Sequence, residues 1–164
     1  SIGNHLSYSA TAWFPPVETL MRLAAEADGM SLATCMLVLP LYHPLYVAEQ
    51  AALLDAACSG RAILGVSPGW QQDEFELMGV DHQRRFSRYT EAVTLIKKLF
   101  TEEEVSVEGK HFRADKLRLA LKPTQKPRPP SGGRVDHFSA LKRNRCGCAP
   151  SSPRRRFLSS SYSR

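Results

Sequence analysis

Apolar residues recur along this chain in two rhythms, and their alternation predicts the order of its elements. From Pro15-Pro16-Val17-Glu18 onward, Val17, Leu20, Met21, Ala24 and Ala25 follow helical spacing, and Gly29 marks a stop, so a helix is expected near residues 16–28. Proline in its first turn loses no hydrogen bond, and Glu18 suits the positive end of the helix. Residues 31–39 contain the near-continuous apolar run Leu32-Ala33-Thr34-Cys35-Met36-Leu37-Val38-Leu39. Such a run fits a parallel strand buried on both faces. Pro44 then opens a second helix, over 44–58, with Val47, Ala48, Ala51, Leu54 and Cys58 on one face and Ser59-Gly60 as its stop. Residues 61–66, Arg61-Ala62-Ile63-Leu64-Gly65-Val66, read as the next strand. Two apolar strands separated by a helix-length spacer make a βαβ unit, so these strands should be adjacent and parallel.

Downstream, Gln71 to Gly79 reads as a short acidic helix, and residues 81–88 as a polar connection carrying Arg84, Arg85 and Arg88. Residues 88–101 show the clearest helical face, with Tyr89, Ala92, Val93, Ile96, Leu99 and Phe100 on one side and Lys97-Lys98 outside. A small hairpin is expected over 105–112 around Glu108-Gly109-Lys110, followed by Leu117-Arg118-Leu119-Ala120-Leu121 and a proline-rich stretch to Pro130. From Ser131 to Arg164 the chain is rich in Ser, Arg and Gly without a sustained period, a composition that predicts a disordered tail.

Charge sharpens this division. The net charge of +6 resides in residues 131–164, which hold eight basic residues and one acid, whereas residues 1–130 hold fourteen bases and fifteen acids. A nucleic-acid footprint should lie on a structured face, so nucleic acid is not an expected partner. No apolar run is long enough to cross a membrane, and the start does not resemble a signal peptide. Cys35 and Cys58 sit inside apolar segments and read as small hydrophobes, while Cys146-Gly147-Cys148 has no second pair at zinc-like spacing; no metal site is expected. Together these features predict a soluble protein of a reducing compartment, the cytoplasm.

Candidate chemistry begins at two proline-marked loops, Leu39-Pro40-Leu41-Tyr42-His43-Pro44 and Gly65-Val66-Ser67-Pro68-Gly69-Trp70. Both follow strands, and ligands of parallel α/β proteins bind at the carboxyl ends of strands. Glycines at 65 and 69 let backbone approach a planar or phosphorylated ligand, Ser67 offers a hydroxyl, and Trp70 supplies a rigid wall. Arg84, Arg85 and Arg88 suit either a cofactor phosphate or a solvated face. His43, ahead of a proline, reads as structural, and Glu102-Glu103-Glu104 as a solvated helix end.

These motifs, in this order, resemble the luciferase-like flavin-dependent oxidoreductases. The resemblance rests on Val38 to Pro44, Ala48 to Asp55, Ser59 to Val66, Gly69-Trp70 with Glu74-Phe75, Gly79-Val80, Arg84-Arg85, Glu91-Ala92, Leu99 to Val105 and Gly109 to Phe112. It covers about residues 1–130. It implies an α/β fold, a partial (β/α)₈ TIM barrel holding about strands two to four, with residues 1–130 as one domain and 131–164 as a basic tail read in another frame or joined from elsewhere. The implied cofactor is FMN, or alternatively 8-hydroxy-5-deazaflavin. His5 is placed as the catalytic acid/base, with Asn4 beside it. Thr34, Cys35 and Met36 are placed at a strand bulge behind the flavin ring, and Gly65, Ser67, Gly69 and Trp70 around the ring. The implied function is oxidation of a small organic substrate by reduced flavin and O₂, or hydride transfer through the deazaflavin. The other reading is an inactive remnant whose missing strands leave an exposed barrel edge, through which the chain would oligomerise or aggregate.

Overall fold

A computed structural model describes residues 1–6, 12–129 and the backbone of 131–132. Its centre is a parallel sheet of β1 (Leu32–Val38), β2 (Ala62–Ser67) and the short β5 (Ser131–Gly132), in that order. Ile2 adds a parallel bridge to Thr34 on the free edge of β1, with Ile2 N–H donating to Ala33 O and Cys35 N–H to Ile2 O. Four chain segments therefore lie side by side in a parallel arc that does not close among the described residues. The neighbouring, parallel placement of the two apolar runs is the one their spacing predicts.

Helices cover one side of this arc. α1 (Pro16–Leu23) stops at Leu23, earlier than expected, and turns through to Gly29 at positive φ. α2 (Pro44–Ala57) buries Val47, Ala48, Ala51 and Leu54, and His43 caps it by accepting the Leu45 N–H on Nδ1. The short α3 (Gln72–Leu77) follows β2, and α4 (Arg85–Thr101) starts three residues before the predicted helix. The main core gathers Leu37 and Leu39, the inner face of α2, Leu64 and Val66 of β2, and Ala92, Leu95, Ile96, Leu99 and Phe100 of α4. A second cluster joins α1 to Leu32, Leu54, Cys58 and Ala62.

The hairpin differs from the expected one. Its strands are β3 (Val105–Glu108) and β4 (Arg113–Leu117), so residues 109–112 form the connection. The carboxylate of Glu91 on α4 accepts the N–H groups of His111 and Phe112, at 3.1 and 2.7 Å, and so holds these residues out of the ladder. The Phe112 side chain is buried in the main core.

Two further expectations are corrected. Cys35 is not a buried hydrophobe: it is exposed, whereas Cys58 is buried. The ladder between β1 and β2 slips between Thr34 and Leu37, three steps on one strand against two on the other, and the extra residue turns Cys35 out of the core. The peptide bond from Cys35 to Met36 is cis. Beyond the boundary drawn at Pro130, Ser131 and Gly132 pair with Leu64 and Gly65 through the backbone alone, which is why hydropathy does not reveal them. The rest of the predicted tail, residues 133–164, lies outside the described residues.

Candidate active site

The carboxyl ends of β1 and β2 and the N-terminal segment enclose one open cavity of about 750 Å³. Seven residues singled out from the sequence line it: Asn4, His5, Cys35, Met36, Ser67, Gly69 and Trp70. Gly3, Trp13, Val38 and Glu74 complete the lining. Positions 5 and 74 are brought together only by the parallel arc, which sets the Ile2 segment against β1 and α3 beside β2.

Thr34 and Gly65 stand one layer behind the lining. The Thr34 hydroxyl donates to Gly65 O at 2.8 Å, and a Cβ on Gly65 would lie 2.2 Å from Thr34 O. Glycine at 65 therefore admits the displaced main chain of the bulge. At Gly69 the constraint comes from protein as well: φ is +75°, and a Cβ would sit 2.5 Å from Val38 Cγ1 and 2.9 Å from Phe75 Cε2.

His5 is fixed by a partner that the sequence reading left in an acidic helix. Its Nδ1 lies 2.9 Å from Oε1 of Glu74, and the same oxygen accepts the Leu6 N–H at 2.8 Å. Glu74 is 2% exposed. Because the carboxylate oxygen accepts, the ring nitrogen donates, and the neutral imidazole carries its proton on Nδ1. Glu74 could have been found from its neighbours: it stands beside Phe75 and one turn after Gln71, and all three are buried. Trp13, whose ring centroid is 4.8 Å from that of His5, carries no periodic signal ahead of α1.

Asn4 is buried and ties the N-terminal segment to the end of β1. Its Oδ1 accepts the Val38 N–H at 3.2 Å, and its amide pairs with the Tyr42 hydroxyl. Burial raises the Tyr42 pKa above its ordinary value, an effect that the bond to Asn4 partly offsets.

The arginines are engaged away from the cavity. Arg84 pairs with Asp81, and Arg85 donates to His82 O. Arg88 donates to Pro40 O and lies over the Phe112 ring, and burial lowers its pKa.

The profile of the luciferase-like monooxygenase family matches residues 2–135. The chain belongs to this family. It is 36% identical over 121 residues to an F420-dependent glucose-6-phosphate dehydrogenase of Kineococcus radiotolerans, covering 71% of this chain and 34% of that protein. It is 29% identical over 125 residues to an FMNH₂-dependent dimethylsulfone monooxygenase of Pseudomonas putida, covering 74% and 34%. Among solved structures, monooxygenase RslO1 from Streptomyces bottropensis superposes with a TM-score of 0.70 at 28% identity, covering 73% of this chain and 36% of that one. The chain thus spans about a third of the length of the curated relatives it matches. Its fold is part of a (β/α)₈ barrel. No helix among the described residues is long and apolar enough to cross a membrane.

Proposed function

We propose that this segment forms the cofactor-facing wall of a luciferase-like oxidoreductase that uses FMN or the deazaflavin F420 on a small organic substrate. The observation that carries the reading is the pairing of His5 with the buried Glu74 carboxylate in an open cavity also lined by two tryptophans. The lining suits a planar ring: Met36, Val38, Trp13 and Trp70 give apolar surface, and Asn4, His5 and Ser67 give directional groups. Relatives named for F420 and for FMNH₂ support both cofactor choices. When bound, either group would supply the redox chemistry.

The protein's own part is narrower. Glu74 orients the imidazole of His5 at the cavity. Cys35 and Met36, at the bulge of β1, would help hold the group against the end of that strand. Trp70 would add apolar surface to that wall.

The test is a riboflavin titration followed by tryptophan emission. Quenching with a Kd on the order of 100 μM is expected, weak because the chain spans a third of its relatives' length. No quenching up to about 1 mM would overturn the reading and leave the remnant in its place. In a longer protein carrying this segment, His5→Ala should keep flavin affinity and lower turnover by ~10²–10⁴-fold. Sedimentation velocity should show self-association through the open strand edge.

A further inference from the structure

A smaller pocket, of about 220 Å³, lies between the start of α1 and the first turns of α2. It shares none of its described lining residues with the larger cavity. Neighbouring residues of β1 part the two: Leu37 lines the pocket and Val38 the cavity, as successive strand positions on opposite faces do. Tyr42 joins them, because it lines the pocket while its hydroxyl pairs with the amide of Asn4, a residue of the cavity.

The walls of this pocket are apolar at Val17, Leu37 and Val47 and aromatic at Tyr42 and Tyr46. Glu18 adds a carboxylate to them. Its Oε1 accepts the Tyr46 hydroxyl at 3.2 Å, and its remaining lone pairs are open to a further donor. Partial burial and then the charge of Glu18 raise the Tyr46 pKa above its ordinary 10.0, so that hydroxyl stays protonated. Pro15 and Pro16 carry no N–H, so at this end of α1 ring carbon replaces two of the donors that would favour an anion.

We propose that this pocket is a second ligand site, for a small organic cation that carries an ammonium group on an aromatic or other apolar body. The ammonium pairs with Glu18 and is attracted to the tyrosine faces, and the apolar body covers Val17, Leu37 and Val47. A cavity of about 150 Å³ holds a benzene ring, so one ring with a short amine arm is the size that fits. The site stands apart from the flavin reading, since it needs no residue assigned to the cofactor.

The test is a titration of the full chain with benzylamine, benzyl alcohol and benzoate, which share a ring and differ in charge, followed by NMR of the tyrosine rings and the Asn4 side-chain amide. Benzylamine should shift Tyr42, Tyr46 and Asn4 saturably, with a Kd on the order of 1 mM for so small a ligand. Benzoate should bind at least about tenfold more weakly. Glu18→Gln, at an exposed position, keeps an acceptor for Tyr46; it should weaken benzylamine about fivefold and leave benzyl alcohol unchanged. Gln50→Phe, at the half-buried rim, should fill the pocket and abolish the shifts. Benzoate binding as tightly as benzylamine, an unchanged benzylamine affinity in either variant, or shifts confined to Trp13 and Trp70 of the larger cavity would overturn the proposal.

Discussion

His5 and Glu74, 69 positions apart in the chain, share a 2.9 Å contact from Nδ1 to a carboxylate oxygen that also accepts the Leu6 N–H. One buried carboxylate thus fixes both a side chain and the main chain that carries it. Glu74→Ala should destabilise the fold by about 1–3 kcal/mol, the cost of leaving buried donors without an acceptor. Glu74→Gln, which keeps an acceptor for Leu6, should cost less. Urea denaturation measures both, and the ¹⁵N shifts of His5 should report loss of the Nδ1–H tautomer in Glu74→Ala and its retention in Glu74→Gln.

Gly65 and Gly69 should respond to substitution more severely than Gly29 and Gly79. All but Gly65 have positive φ, but a Cβ at 29 or 79 meets nothing within 4 Å. Alanine there should cost about 1 kcal/mol from backbone strain alone. At 65 it would strike Thr34 O, and at 69 Val38 and Phe75, adding about 1–3 kcal/mol of overpacking. Thermal melts of the four variants should show that order. A Gly69 variant that loses flavin binding but melts like wild type would point to the ligand as the main constraint.

Asp55 is fully buried on α2, and its carboxylate joins elements far apart in sequence. It accepts the Ala62 N–H at the start of β2, at 3.4 Å, and both the main-chain and side-chain N–H groups of Gln125, at 3.0 and 2.6 Å. Asp55→Ala should cost about 1–3 kcal/mol and speed amide exchange around residue 125. Unchanged protection there would show that the proline-rich segment is held by other contacts.

Alkaline pH should weaken the fold. Burial raises the Tyr42 hydroxyl above its ordinary value of 10.0 and the Cys58 thiol above 9.0. The folded state therefore keeps protons that the unfolded state releases, so stability is full below about pH 9 and declines as pH rises through the folded values. Denaturation midpoints from pH 8 to 11 should fall. Tyr42→Phe should flatten the upper part of that decline.

The sequence by itself determined the alternation of elements. Apolar period and proline or glycine punctuation act locally, so β1, α2, β2 and α4 were legible within a few residues, as was the neighbouring parallel placement of the two strands. The glycine loop after β2 was legible too, and His5 was singled out only through the resemblance to a family. Tertiary structure alone decided what depends on two distant segments meeting. It placed Glu74 against His5, turned Cys35 out of the core where the ladder slips, and set Thr34 and Gly65 behind the cavity instead of on it. It also paired Ser131 and Gly132 with β2 through backbone groups that carry no side-chain signal. In each case the determining contact lies across the sheet, and no pattern along one segment records which atoms a neighbouring strand will present to it.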